Sequence, residues 1–211
     1  MGPNEVLVRL GDILTQSIDR HPVEAGKLYP NIGIYGFGRG VFEKPPIDGG
    51  STSARALYRV KAGQLIYSRL FGFEGAYALV PDFADGAFVS NEYPLFDIDV
   101  DRVLPQFLGW LVRLPRFWKA LSALTSGMGD RRRRLHPERF LSHCIALPPL
   151  PEQRTIAQKI DAVAARVDEV RRLRQEVQDD VSSLLVAMTH RNDLSVDAKR
   201  STVGAKFGSA T

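Results

Sequence analysis

Hydrophobic positions divide the 211-residue chain into two textures. Up to about residue 149, short β-branched or aromatic runs alternate with Gly and Pro. The runs at 32–35, 57–60, 64–67, 76–80 and 87–89 predict strands joined by turns. Further along, the spacing becomes helical. Val103, Phe107, Leu108, Leu111 and Val112 share one face of a helix over 103–114, and Phe117, Trp118, Leu121 and Leu124 do the same over 115–124. No repeat of solenoid length occurs. The expected fold class is therefore a mixed α/β (α+β) domain over residues 1–149.

The texture changes at Leu147-Pro148-Pro149-Leu150-Pro151. Pro148 and Pro149 disfavour helix before them, whereas Pro151 suits the first turn of one. From Glu152 to His190 neither Gly nor Pro occurs. Ile156, Val163, Val170, Val177 and Leu184 stand seven apart, and Ile160, Val167, Arg174, Val181 and Met188 interleave at steps of three and four. This pattern predicts one long helix over 150–190, roughly 55 Å in length. The tail, 191–211, loses the period and is rich in small polar residues, so it is expected to be disordered. A narrow apolar seam needs cover. Packing on its own domain would provide it, but a straight 3.5-residue period suits a second long helix better, because a helix lying on a globular domain shows a wider stripe. Arg174 costs stability in such a seam and can fix register by meeting an acid across the interface.

Composition changes this picture only at its edges. With 44% hydrophobic and 25% charged residues the chain has the make-up of an ordinary folded protein, and its net charge of +4 permits a polyanionic partner without requiring one. No run approaches the ~18 apolar residues of a membrane span. Glu5 and Arg9 fall where a signal sequence would be apolar, so a cytoplasmic protein with no membrane partner is expected. Cys144 is the single cysteine, and His21, His136, His143 and His190 keep no metal-finger spacing with it, so no metal is expected.

Candidate chemistry fails test by test. The stretch Gly36-Phe37-Gly38-Arg39-Gly40 lacks the Lys-Ser/Thr of a phosphate loop and the third spacing of a dinucleotide turn, and reads as a tight aromatic turn. Pro81-Asp82 begins like a nuclease motif but no Glu-x-Lys follows to complete a metal site. His143 neighbours Cys144 and Ser142, yet side chains adjacent in a strand point apart, and no G-x-S-x-G elbow occurs. No N-P-P-aromatic or D-P-P-aromatic tetrapeptide of a DNA adenine methyltransferase is present. The chain is expected not to be an enzyme. Its densest charge, Arg131, Arg132, Arg133 and Arg134 after Gly127-Met-Gly129-Asp130, offers guanidinium forks suited to phosphates and guanine edges, or else a solvated run paired with Asp130 and Glu138.

The junction LPPLPEQRTIAQKIDAV, residues 147–163, resembles the segment of type I restriction-modification specificity subunits in which Pro-Pro-Leu-x-Glu-Gln-x-x-Ile leads into a long helix. Pro148, Pro149, Leu150, Glu152, Gln153 and Ile156 stand in place. The upstream segments IGIYGFGRGVFEK, VKAGQLIYSRLFGFEGAYALV, FVSNEYPLFDID and SGMGDRRRRLHPERFLSHCIALPPL look like parts of one target recognition domain, so the likeness covers residues 5 to 190.

The resemblance implies a non-catalytic subunit that reads double-stranded DNA and recruits modification (methyltransferase) subunits and a restriction (motor-nuclease) subunit. No cofactor is then expected in this chain; S-adenosylmethionine, ATP and Mg belong to the partner subunits. A full specificity subunit carries two recognition domains and two helices, and this chain carries one of each. The other half would come from a second copy in a homodimer, from a second half-subunit, or from further sequence. The seam Ile156, Ile160, Val163, Val167, Val170, Arg174, Val177, Val181, Leu184 and Met188 is the expected dimerisation surface. The expected DNA contacts lie in loops: Tyr35, Arg39 and Lys44; Tyr67, Ser68, Arg69 and Glu74; and Arg131 to Arg134 as phosphate clamps. The competing reading is a scaffold or inhibitor that binds protein and is assembled through its coiled coil.

Overall fold

The structure is a computed structural model that describes residues 5–123 and 134–204, with the side chains of the last helix described up to Met188. The chain divides into two units, Met1–Lys159 and Ile160–Thr211.

Among the described residues the first unit builds three sheets. Strands β1 (Val6–Arg9) and β11 (Cys144–Leu147) pair antiparallel and join the start of the unit to its end. A four-stranded sheet runs β2 (Leu14–Ser17), β10 (Leu95–Ile98), β7 (Leu65–Tyr67), β8 (Tyr77–Leu79). A five-stranded sheet runs β3 (Arg20–Pro22), β6 (Ala56–Arg59), β9 (Phe88–Val89), β4 (Leu28–Ile34), β5 (Val41–Asp48), with β4 and β9 parallel. Pro45 and Pro46 in β5 lack the N–H that a central strand needs. They sit on an edge strand, opposite Pro30, where the β4–β5 register slips.

Alternation along the four-stranded sheet assigns its two faces. Leu65, Tyr67, Tyr77 and Phe96 enter one core, while Ile66, Ala78 and Leu95 enter another. The first core is closed by the helices α1 (Pro105–Arg113), α2 (Pro115–Ser122) and α3 (Pro137–Leu141). The second is filled by Ile32, Ile34, Val60 and Val89 from and beside the five-stranded sheet. Being apolar on both faces, the middle strands read as continuous hydrophobic runs rather than alternating ones. Pro105 and Pro115 each open a helix. Leu114, between α1 and α2, is held extended at ψ 131°, as a residue before proline prefers.

The last helix, α4, runs Leu150–Gly204. It continues beyond residue 190, where the sequence reading ends the helix, because residues 191–203 contain neither Gly nor Pro to stop it. Residues 150–159 belong to the first unit, which moves the boundary into the helix relative to the proline segment.

Candidate nucleic-acid interface

Two loops meet on one side of the first unit. The turn 35–40 is pinned to the loop 71–76 by backbone bonds: Phe37 N–H donates to the Glu74 carbonyl at 2.7 Å and Gly38 N–H to the Gly75 carbonyl at 3.0 Å. Tyr35 is partly exposed, stacks on Phe42 at 4.1 Å, and carries the Arg39 guanidinium over its ring at 4.7 Å. Arg39 Nε also donates to the Gly36 carbonyl. The guanidinium is thereby ordered in advance while its outer edge stays exposed, as a groove or phosphate contact requires. Lys44 is exposed on β5, and Glu74 is half-buried beside Gly36.

The expected contacts at 67–69 separate. Tyr67 is fully buried; its hydroxyl donates to the Leu135 carbonyl at 3.0 Å and its ring packs on Phe140 at 4.7 Å. Burial pushes its phenol well above the ordinary value, with Arg69 partly opposing the shift. Ser68 is also buried and accepts the Phe71 N–H. Neither side chain reaches a duplex, which corrects the sequence reading: both lie on or beside a central strand, not on the loop's outer rim.

Arg69 does reach a cleft of about 290 Å³, lined also by Gln16, Tyr58, Asn91, Tyr93 and Glu138. Its Nη2 lies 3.1 Å from His136 Nδ1, while its buried Nε has no hydrogen-bond partner. A guanidinium reaching a cleft that is also lined by two tyrosines suits a planar base edge. Arg134 is tied instead to Glu92, at 3.3 Å to both carboxylate oxygens, so it is not a free phosphate clamp. Arg131, Arg132 and Arg133 lie outside the described residues. Among the described residues no group of three or more His, Cys, Asp or Glu is gathered to hold a metal, and no helix is long and apolar enough to cross a membrane.

Gln153 of the junction has a structural role that the sequence alone does not reveal. Gln153 is completely buried. Its Oε1 accepts the Leu104 N–H at 2.7 Å, and its Nε2 donates to the carbonyls of Pro148 at 2.8 Å and Arg102 at 3.1 Å. One side chain therefore joins the first turn of α4, the proline segment before it and the entry to α1. Ala157 is buried and Ile156 packs against the same core, which corrects the placement of Ile156 in the dimerisation seam. The other end of the seam is different: Val163, Val167, Val170, Val177, Val181, Leu184 and Met188 are all between 43% and 64% exposed. Their polar neighbours pair along the helix, Arg171 with Asp168 and Arg172 with both Glu169 and Glu176. Ile160, partly buried, and the exposed Arg174 complete the series.

Solved structures of similar fold exist. The HsdS subunit from Thermoanaerobacter tengcongensis superposes with a TM-score of 0.67 at 27% identity, over 87% of this chain and 48% of that one. By its structure this chain is similar to the HsdS specificity subunits of type I restriction-modification systems. A second HsdS-type neighbour comes from a structure described as the basis of complex assembly and conformational transition of the type I R-M system; it matches at TM-score 0.65 and 28% identity, over 85% of this chain and 47% of that one. The present chain thus spans about half the length of both HsdS neighbours. No protein-family model and no curated protein sequence matches it. The sequence reading puts Phe37 in the same aromatic and basic loop as Tyr35 and Arg39 and leaves a core position for it open; the structure leaves it 65% exposed. Sequence reasoning missed Arg113 and His136, which no local pattern marks.

Proposed function

We propose that this chain is the sequence-reading component of a type I restriction-modification assembly. The first unit reads one half of an interrupted duplex target, and the exposed stretch of the α4 seam joins it to a second long helix. The observation that carries the reading is the HsdS fold over 87% of this chain, coupled to only about half of the neighbour's length. One recognition unit and one exposed apolar helix stripe are what half of a two-part reader would contain. The first candidate for the other half is a second copy, which gives a palindromic interrupted target.

In this reading the chain performs no bond chemistry and works in the cytoplasm. Base methylation and DNA cleavage belong to partner subunits, which hold S-adenosylmethionine, ATP and Mg. Arg39, Lys44 and Arg69 are the described cations assigned to DNA, with Arg131 to Arg133 assigned to phosphates. Two half-sites with a few bidentate contacts, at about 1–3 kcal/mol each, supply the discrimination a restriction system needs. The test is selection of bound duplexes from a randomised library by the purified full chain, alongside its mass by light scattering. Two short motifs of opposite orientation at a fixed gap, recovered by a dimer, are expected. Recovery of no motif under low salt would overturn the reading in favour of a protein-binding scaffold.

A further inference from the structure

Among the described residues Phe37 is the one non-glycine residue at positive φ, 60°. A bulky side chain is unfavourable there, and such strain persists only where the surroundings over-determine it. The surroundings do. Besides the two bonds to the 74–75 backbone, Tyr35 N–H donates to the Gly40 carbonyl at 2.9 Å and closes the turn. Gly38 and Gly75 are both at positive φ and have no room for a side chain: a Cβ would come within 2.9 Å of Arg113 Cβ at Gly38, and within 2.8 Å of Trp118 Nε1 at Gly75. Yet the phenyl ring so carefully held is 65% exposed and makes only an edge contact with Trp118, at 6.3 Å between ring centres. Core packing does not explain it.

The charge around the ring narrows what covers it. Arg39 is adjacent in the turn, ordered by its stack on Tyr35, and Arg113 abuts Gly38 with its guanidinium set over Trp110 at 4.6 Å. An exposed phenyl ring beside two ordered guanidinium groups fits a polyanion with apolar gaps, which is what stacked base pairs between phosphate rows present. A protein partner would have to cover an apolar ring and neutralise two cations at once.

We propose that Phe37 is a wedge that enters the duplex between two base pairs from the minor groove, while Arg39 and Arg113 hold the flanking phosphates. This rests on the DNA-reading function proposed above and adds its mode: part of the sequence preference comes from the ease of unstacking one step, and needs no hydrogen bond to a base edge. Flexible pyrimidine–purine steps are then favoured at one position of each half-site.

The test uses the full chain and the duplex recovered by selection, with 2-aminopurine placed at each step in turn. The wild-type chain is expected to raise fluorescence at one step per half-site. Phe37→Gly, which suits the positive φ and leaves the turn intact, is expected to abolish that rise and to weaken specific binding about tenfold, the size of one lost anchoring contact. Phe37→Leu, an apolar wedge, is expected to keep most of both. Tight specific binding by the wild type with no unstacked step overturns the wedge and leaves the DNA-reading function standing. Absence of duplex binding by the wild type overturns that function and the wedge with it. Undiminished DNA binding by Phe37→Gly, combined with lost capture of a methyltransferase subunit, assigns the ring to a protein interface and overturns the proposal.

Discussion

Removing the Gln153 carboxamide tests whether the junction is held by one buried side chain. Three hydrogen bonds converge on it, to the Leu104 N–H and to the carbonyls of Pro148 and Arg102. Each is worth about 0.5–1.5 kcal/mol net, and a buried partner left unsatisfied costs about 1–3 kcal/mol. Gln153→Leu keeps the volume and removes the bonds, so about 3 kcal/mol of stability should be lost, a drop of about 6–12 °C in Tm for a unit of this size. Gln153→Glu separates the two halves of the argument. Its carboxylate still accepts from Leu104 but faces two carbonyls where Nε2 donated, so the folded state favours the protonated acid. Its folded pKa is raised above the ordinary ~4.3 of Glu. Stability is then lost as pH rises through that range, and the deficit is largest at neutral pH and smallest near pH 4. Urea titrations of the three proteins at both pH values read this directly. A Gln153→Leu protein within about 0.5 kcal/mol of wild type, or a Gln153→Glu protein with no pH-dependent deficit, refutes the reasoning.

Four further outcomes follow from the same geometry. Arg174→Glu with Val177→Glu places acids in the exposed seam, and light scattering should show a dimer falling to a monomer without change in the melting of the first unit. Arg69→Ala should relax preference at one base position, whereas Arg132→Ala should weaken binding to every duplex and lower the salt slope by about 1; equal losses on specific and random DNA from both would defeat that division. Gly75→Ala puts a Cβ against the Trp118 indole at positive φ and should cost about 1–3 kcal/mol in thermal melts. Burial lowers the pKa of His143, so the unfolded chain takes up a proton more readily. Stability should fall as pH drops through 6.5, the ordinary histidine value, and His143→Gln should flatten that fall in a pH series of melts.

Legibility in the sequence followed physical locality. The apolar runs of β7 and β8 stood out because the four-stranded sheet is buried on both faces, and those of β6 and β9, in the five-stranded sheet, because Leu57 and Val89 are buried. Pro151 announced α4 because proline suits the first turn of a helix, whereas α1 and α2, which begin at Pro105 and Pro115, were legible from their apolar spacing. The strand β5 was invisible, since its prolines argue against a strand unless its edge position is known. Strands β1, β2 and β11 are short segments whose partners lie far along the chain, and no local pattern marks them. Tyr67 and Ser68 were read as contacts flanking a Gly-rich loop for a related reason: proximity to Gly and Arg in sequence resembles a binding loop, but the alternation of β7 turns Tyr67 into the aromatic core.

The same distinction separates the scaffold from the surface proposed to read DNA. The bonds that define the architecture run inward: Tyr67 to Leu135, Gln153 to three backbone groups, β1 to β11. The groups assigned to DNA hang from turns whose backbone is fixed by glycines and carbonyl bonds, so their side chains carry little of the core's stability. Arg39 and Phe37 can change with modest cost to the fold, while Gly38, Gly75 and Gln153 cannot. A substitution scan that found Arg39 and Phe37 as sensitive in thermal melts as Gly75 would show that reading surface and scaffold are not separable here. Sensitivity of the first pair in DNA selection alone would show that they are.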